Sequence, residues 1–494
     1  MKKMNLLAMS LVSAAALSFS SCSSNDDLAG GGTQSQADGV YMTLKISGAT
    51  SHGTRTSVAT PNTTEDGTVE ESTITEGMMY IYDENTCVFR KVITADMFKT
   101  APTQTTAGVT KPIKVAVTGA ITTNKAYNVY FLANDKSVTD PLATNASFTA
   151  STTGGANFAT ANNFVMFNQN DVKKQANHST VTFTDKAKSE TSPAEAGEIK
   201  LDRVVARIDN PSFAETVTTV TPATDTKTSI NAADVVESIS YEGYAVSNLN
   251  NNSYVKQNWD NNFETLTVKW GEPKYYLPKS DYGTLYKADG LNNFGKDNWK
   301  YAFENTTTDV DDATAVYFKV KVALTEPANQ ASDFRDGTFY RYDGRLYTSI
   351  QAIYDDAATG AISNPFTETN SKTPAEVVNM IKDATTNKLT TDEDKLAKFR
   401  ADYKIEVYRE GMMYYRWAIS DNAYKPFVAS ETTHTYSVLR NSIYRLTVTK
   451  VSEIGKDVPN GPEPDDPVKN PNFYMNVTVS INPWVLNAQP IELK

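Results

Sequence analysis

Residues 473–481, near the C-terminus, read FYMNVTVSI. Apolar and polar side chains alternate along this stretch, which is typical of a β-strand with one buried face. The same alternation occurs near the N-terminus, where residues 41–46 read YMTLKI. Either segment is therefore suited to fill one position in a β-sheet.

The apolar side chains of these two segments are the candidate functional residues. In the first strand they are Met42, Leu44 and Ile46. In the C-terminal segment and the short strand-like piece after it they are Phe473, Met475, Val477, Val479, Ile481, Trp484, Ile491 and Leu493. If a protease removed the first strand, the last strand of another copy could take its place and link the copies into a polymer. The alternative is that this segment is the last strand of its own domain.

A proline-rich linker precedes the C-terminal segment, where residues 461–467 read GPEPDDP. Closely spaced prolines prevent regular structure and favour an extended, stiff chain. We expect this linker to hold the following strand away from its own domain.

A candidate cleavage site follows the first strand. Residues 48–57 are small or polar and contain Arg55, the first arginine of the chain. Exposed loops of this kind are where proteases cut, and a protease pocket with a buried carboxylate selects arginine. The pattern predicts cleavage between Arg55 and Thr56; the alternative is that Arg55 is an incidental surface residue.

The N-terminus predicts export. Two lysines and an apolar run over residues 6–17 form a signal peptide, which ends at Cys22 after small residues, as at a lipoprotein processing site. We predict that Cys22 is lipidated; the alternative is an ordinary signal peptide followed by a chance cysteine. Residues 23–39 read as a flexible tether.

Composition narrows the partners and the fold. The net charge of −11 over 494 residues argues against nucleic acid or an anionic membrane surface as the partner. Cys87 is the one cysteine left after processing, so no intrachain disulfide is expected; we predict it to be a small buried residue in a strand. The length suggests two domains.

Abundant threonine, valine and tyrosine favour a mostly β fold of the sandwich type. One helix is predicted from Thr373 and Pro374 with Glu376 in a capping box. A second is predicted to start at Thr391-Asp392 and to cover Leu396 and Phe399. The predicted strands span residues 78–82, 113–117, 127–132, 204–208, 266–270, 316–323, 404–408, 412–419 and 442–451.

The domain boundary is predicted in the polar, proline-containing stretch of residues 186–197, before a strand that carries Arg203 and Arg207. Exposed charge on a strand face is the favoured interpretation of these two arginines. The alternative is that they pair across the boundary.

An enzyme and a glycan-binding protein are the two alternative functions. For an enzyme or metal site, the three histidines, His52, His178 and His434, form no recognisable nucleophile or ligand pattern, and the acidic residues 309–312 and 392–394 lack the glycine and glutamate of a calcium loop. The sequence does not exclude a glycosidase-type pair of carboxylates, because any two strands could bring such a pair together. No catalytic residue, metal or cofactor is predicted.

A glycan-binding surface lipoprotein is the second alternative, with aromatic residues as sugar platforms. The candidates are Trp259, Trp270, Trp299, Tyr275 and Tyr276. Burial in two sandwich cores explains these aromatics equally well. Such a protein would need its first strand retained, whereas a polymerising subunit would need it lost.

Several segments together resemble the type V pilus fimbrillins, and most closely the stalk subunit of short (minor) fimbriae. They occur in that family's order, at residues 41–55, 127–135 (YNVYFLAND), 203–207 (RVVAR), 413–417 (MYYRW), 438–444 (VLRNSIY), the proline-rich linker and 477–484 (VTVSINPW).

The resemblance implies a mostly β fold with two transthyretin-like β-sandwich domains, a few short helices and a C-terminal donor strand. The implied division is a signal peptide (1–21), a lipidated propeptide with the removable first strand (22–55), two domains (56–199 and 200–460), and the linker with the donor strand (461–494). Cys22 looks like the lipidated, palmitate-carrying residue, and Arg55 and Thr56 like the processed bond.

The implied function is that of a fimbrial structural subunit, not an enzyme, which supports adhesion and biofilm formation at the cell surface. Its implied partners are other copies of itself, anchor and tip subunits, an arginine-specific surface protease and, before cleavage, outer-membrane lipid. Loss of the lipid tether at Arg55 favours a stalk subunit; a fimbrial anchor or tip accessory subunit is the alternative.

Overall fold

The computed structural model describes residues 39–47, 67–100, 113–119, 121–143, 146–149, 158–169, 178–214, 232–250, 252–257, 294–296, 299–307, 313–366, 372–420, 436–457, 475–482 and 488–489. Within these residues the chain is mostly β with a few short helices, so the predicted fold class is confirmed. No helix of the described residues is long and apolar enough to cross a membrane.

The first half of the chain forms a sheet in which the first strand is an interior member. The strands of this half are β1 (Val40–Ser47), β2 (Gly77–Asp83), β3 (Thr86–Ile93), β4 (Ile113–Val117), β5 (Ala126–Ala133), β6 (Ser147–Thr149), β7 (Ala159–Thr160), β8 (Asn163–Phe164), β9 (Met166–Asn168), β10 (Ser179–Thr182) and β11 (Ala194–Arg203). Eight of them pair in the order β3-β2-β5-β9-β11-β1-β4, with β10 beside β5.

The second half contains several smaller sheets. Its strands are β12 (Ala206–Ile208), β13 (Ser212–Phe213), β14 (Val236–Ser247), β15 (Asn252–Tyr254), β16 (Lys300–Ala302), β17 (Asn305–Thr307), β18 (Ala315–Leu324), β19 (Phe339–Tyr342), β20 (Arg345–Tyr347), β21 (Glu406–Tyr408), β22 (Met412–Ala418), β23 (Tyr436–Val438), β24 (Ile443–Val451), β25 (Met475–Asn482) and β26 (Ala488–Gln489). One sheet runs β16-β12-β24-β25-β26, with β13 beside β24, and another runs β14-β18-β22.

Short helices connect these strands. They are α1 (Val69–Ser72), α2 (Ala95–Thr100), α3 (Ala232–Val235), α4 (Glu326–Gln330), α5 (Ile350–Thr359), α6 (Pro374–Ile381) and α7 (Glu393–Tyr403), with 3₁₀ turns at Asp185–Lys188 and Arg409–Gly411. The predicted capping box of α6 is confirmed, since the Glu376 amide donates to the Thr373 hydroxyl and the Thr373 amide donates to the Glu376 carboxylate. Asp392 caps α7 as predicted, accepting from two amides of the first turn.

Three clusters of buried apolar residues organise the described chain. The first spans β1 to Val205 and takes in Val255 and Phe303 from later in the sequence. The second begins at Ala206 and continues to Ile454. The third belongs to an insertion between β18 and β22, where α5, α6 and α7 pack with β19–β21. The buried cores therefore change over between Val205 and Ala206.

Most predicted strands are confirmed, including residues 113–117 at their exact limits, while residues 266–270 lie outside the described chain. The stretch of residues 186–197 does not separate the sheets as expected. Its second part already belongs to β11, which pairs with β1 up to Lys200 and with β9 from Leu201 to Arg203, so the backbone ladder of the first sheet continues to Arg203. Cys87 lies in β3 as predicted, but it is only half-buried.

Candidate functional site

The first strand occupies a slot between two neighbours in the first sheet. On one side β1 runs parallel to β11, with Met42 opposite Ala194 and Ile46 opposite Ile199. On the other side it runs antiparallel to β4, with Met42 opposite Val115. Removal of β1 would leave two strands without a ladder partner on their facing edges.

The inner face of β1 is part of the first core. Met42, Leu44 and Ile46 have no exposed surface, and Val40 is 5% exposed. Each of these side chains contributes roughly 1.5–3 kcal/mol on burial, or about 6–12 kcal/mol for the four before ordering costs. A vacated slot would expose the apolar surfaces that these side chains now cover, so it would strongly favour a replacement strand.

The outer face of β1 carries one specific polar contact. The Thr43 hydroxyl donates to a Glu195 carboxylate oxygen at 2.6 Å, and it also lies 3.4 Å from the Ala194 carbonyl oxygen. Just beyond this contact β11 contains a bulge, because Thr43 and Lys45 face Glu195 and Glu198. The contact therefore marks one position along the slot.

The C-terminal strand β25 also lies in a sheet, beside a strand of its own chain. It pairs antiparallel with β24, with Ile443 opposite Asn482 and Val451 opposite Met475. It also pairs with β26. The expectation that the linker holds this strand away from its own domain is wrong for the single chain, because the edge of β24 offers it a complete set of backbone partners.

Other predicted site residues lie outside the described residues. These are Cys22, Arg55, Thr56, Phe473, Trp484, Ile491 and Leu493. Met475, Val477, Val479 and Ile481 belong to β25.

The chain is firmly held just before the proline-rich linker. Residues 453–457, here termed the root segment, are bound through their main chain by aromatic and arginine side chains. Hydrogen bonds run from the Tyr415 hydroxyl to the Glu453 carbonyl (2.8 Å), from Arg341 to the Ile454 carbonyl (2.8 Å) and from the Tyr408 hydroxyl to the Gly455 carbonyl (2.7 Å). The linker therefore starts from a fixed point.

Asp457 completes the root segment from inside the protein. It is 2% exposed, and its carboxylate accepts from the Arg400 guanidinium and from the Val407 amide at 2.9 Å. Arg400 lies on α7, in the insertion with its own core. The insertion therefore helps to hold the root segment in place, next to the linker that leads to the C-terminal strand.

A buried charge cluster joins the two halves of the chain. Arg207 is 2% exposed and donates to both oxygens of Glu71 (2.8 and 2.9 Å) and to Asp209 (2.7 Å). Its guanidinium carbon lies 3.9 Å from the centre of the Trp299 ring. Burial alone would lower the pKa of Arg207, but Asp209 and Glu71 raise it above its usual value.

Arg203 extends the same cluster. It is fully buried and donates to the Glu71 carbonyl, the Ser72 hydroxyl and the Asn441 side chain. Burial lowers its pKa to about 10, so it remains charged at neutral pH. The favoured interpretation of Arg203 and Arg207 as exposed charges is therefore wrong, and the alternative of pairing between the two halves describes their positions.

The segment 438–444 supplies the second half of this junction. Asn441 donates to Asp202 at 2.8 Å, and Arg440 forms a buried ion pair with Glu304 at 2.8 Å. Sequence reasoning missed Glu71, Glu304 and the roles of Arg440 and Asn441. Because Glu71 lies 136 positions from Arg207, no local pattern could have paired them.

Most residues of the alternative functions lie outside the described residues, namely His52, Trp259, Trp270, Tyr275, Tyr276, residues 309–312 and His434. Trp299 is 43% exposed and stacks on Arg207. Asp392 caps a helix, and Glu393 beside it is buried against Arg409. Among the described residues, no group of three histidine, cysteine or acidic side chains is placed to hold a metal ion.

Comparison with known families concerns the C-terminal part of the chain. Residues 406–490 match the family model of the major fimbrial subunit protein type IV, fimbrillin, C-terminal. The matched range contains β24, the root segment and β25. The resemblance to fimbrillins is thereby confirmed for this part of the chain. No curated protein matches the sequence.

Solved structures give low similarity over most of the chain. A fimbrilin from Porphyromonas gingivalis W83 is 15% identical, with a TM-score of 0.41, covering 91% of this chain and 99% of that one. A candidate cell adhesion protein from Parabacteroides distasonis ATCC 8503 is 13% identical, with a TM-score of 0.42, covering 92% and 100%. The tip fimbrial protein Mfa3 from Porphyromonas gingivalis is 11% identical, with a TM-score of 0.36, covering 90% and 99%.

Proposed function

We propose that this chain, which matches the fimbrillin C-terminal family model over residues 406–490, is a structural subunit of a surface fimbria. In this proposal it is exported as a lipoprotein modified at Cys22 and cut between Arg55 and Thr56 by an arginine-specific surface protease. It then polymerises as the C-terminal strand of one copy enters the slot that β1 leaves in the next. Anchor and tip subunits would complete the fimbria, which would serve adhesion and biofilm formation.

One observation carries the proposal: β1 is an interior strand with a buried inner face, and its sequence pattern is repeated by β25. Both strands have eight residues, and apolar side chains stand at every second position of each. A strand entering the slot would gain backbone hydrogen bonds from β4 and β11 and cover the apolar surface that β1 covers now. Strand addition supplies affinity through the backbone and specificity through alternate side chains.

The position of the linker supports exchange between copies. The root segment holds the chain at Asp457, and residues 458–474 separate it from β25. Fully extended, residues 458–474 span at most about 60 Å. The strand could therefore leave β24 and reach a neighbouring copy while the root segment stays bound.

The proposal is tested by expressing residues 23–494 without lipid and adding trypsin at low dose. We expect a single early cut at Arg55, followed by a ladder of SDS-resistant multimers. Truncation after Gly461 should abolish the ladder and leave the cut unchanged. A chain that stays monomeric after a clean cut, or is cut elsewhere first, would refute the proposal and favour a glycan-binding lipoprotein or a capping subunit.

A further inference from the structure

We infer that strand exchange, if it occurs as proposed above, has one register, in which Thr478 of the incoming strand takes the place of Thr43. Residues 475–482 would then occupy the positions that residues 40–47 hold in the uncut chain. The inference rests on the proposed function and adds to it the specificity-determining contact, a hydroxyl donated to Glu195.

Side-chain alternation excludes every odd shift of the incoming strand. The slot accepts four apolar side chains on its inner face, at the positions of Val40, Met42, Leu44 and Ile46. A shift by one residue would turn Asn476, Thr478 and Ser480 toward the core, where their polar groups would lack partners. The choice therefore lies between the proposed register and shifts of two residues.

A shift of two residues in one direction is disfavoured by proline. It would place Val477 at the position of Val40 and Pro483 at the position of Ile46. Ile46 lies opposite Ile199 of β11, while the pairing with β4 ends at Leu44. Proline lacks the backbone N–H that a ladder uses, and within sheets it is found at edges and bulges.

A shift of two residues in the other direction replaces the hydroxyl of the outer-face contact with an amide side chain. It would place the larger Phe473 at the position of Val40 and Asn476 at that of Thr43. Only the proposed register sets a threonine, Thr478, where the Thr43 hydroxyl now donates to Glu195 at 2.6 Å. In that register the four inner positions receive Met475, Val477, Val479 and Ile481.

Disulfide trapping between neighbouring subunits reads the register directly. Thr43 lies opposite Lys114 of β4, and residues opposite each other in an antiparallel pair are about 4.5–5.5 Å apart, within disulfide range. In a Cys87→Ser background of residues 23–494, Lys114→Cys is combined with Asn476→Cys, Thr478→Cys or Ser480→Cys. Each variant is cut with trypsin under reducing conditions, allowed to assemble and then oxidised mildly.

We expect covalent multimers on non-reducing denaturing gels only for the Lys114→Cys/Thr478→Cys variant. Cross-linking through Asn476→Cys or Ser480→Cys would overturn the register and leave strand exchange standing. Multimers in which none of the three pairs cross-links would also overturn it, because the incoming strand would not lie beside β4. If the Cys87→Ser parent forms no multimers, the proposed function itself fails.

The hydroxyl contact has a test of its own with a matched control. Thr478→Val keeps the branched shape but removes the donor, and we expect multimers that dissociate about two- to tenfold faster. Thr478→Ser keeps the donor, and its multimers should dissociate at the wild-type rate. Thr43→Val removes the same contact from the uncut chain, and it should leave multimers unchanged because that strand has been lost. Equal dissociation of Thr478→Val and wild-type multimers would contradict the contact.

Discussion

Replacing Leu44 by alanine should destabilise the uncut chain by about 2–5 kcal/mol and leave assembled multimers unaffected. Leu44 has no exposed surface and lies in an interior strand of the first sheet. Its truncation removes apolar contacts and leaves a cavity, since the surrounding core relaxes only partly. Urea unfolding of uncut residues 23–494 measures this loss as a decrease in the free energy of unfolding.

The uncut chain and the assembled multimer should respond differently to this substitution. If β1 leaves during assembly, the residue at position 44 is no longer present in the multimer and its identity cannot matter. Dissociation of multimers formed by the Leu44→Ala chain should therefore match the wild type. Multimers weakened as much as the uncut chain would mean that β1 stays in its slot.

Substitutions on the apolar face of the C-terminal strand should prevent assembly and leave cleavage at Arg55 unchanged. Val479→Asp places a charge where the slot offers an apolar surface, so we expect the chain to be cut at Arg55 yet to remain monomeric. Asn476→Asp is the matched control, because it introduces the same charge on the outward face of the same strand in the proposed exchange, at the position of Tyr41 opposite Ala116. It should still assemble.

Replacing Arg207 by methionine should cost about 3–5 kcal/mol of folding free energy. The substitution leaves the buried carboxylate of Glu71 without its main partner and removes the contact with Trp299. Because Glu71 belongs to the first half of the chain and Arg207 to the second, we expect the two halves to unfold in separate transitions. Calorimetry of the uncut chain measures both effects.

A second substitution separates the buried charge from the lost packing. Glu71→Gln added to Arg207→Met removes the unpaired charge while keeping a side chain that can complete the capping box with Thr68. We expect at least half of the lost stability to return. Lys136→Met is the control, because its ion pair with Glu76 is exposed and should contribute at most about 1 kcal/mol. Similar losses for Arg207→Met and Lys136→Met would contradict the described junction.

Local features of the fold could be predicted from the sequence, since they depend on neighbouring residues. The alternation at residues 113–117 and the capping residues Thr373 and Asp392 led to the elements found in the structure. The pattern of β1 likewise predicted its buried face. The pairing of β25 with β24 could not be predicted from the sequence. It depends on the folded position of β24, which local sequence patterns do not reveal.

The charge cluster shows where sequence reasoning ended. Arginines on a predicted strand are usually exposed, and nothing near Arg203 in the sequence announces Ser72 or Asn441, which lies 238 positions away. Arg203 and Arg207 are buried because they lie where the first and second cores adjoin. Likewise, the polar stretch before β11 resembled a linker, although its end pairs with β1 in the first sheet.

The most direct test of strand exchange is to mix one copy that can only accept a strand with one that can only donate it. The acceptor is residues 23–461, cut at Arg55 and freed of trypsin; the donor is uncut residues 23–494. Native mass spectrometry should find a 1:1 complex that resists SDS and does not grow further. No complex, or an equal amount with a donor truncated after Gly461, would contradict the account.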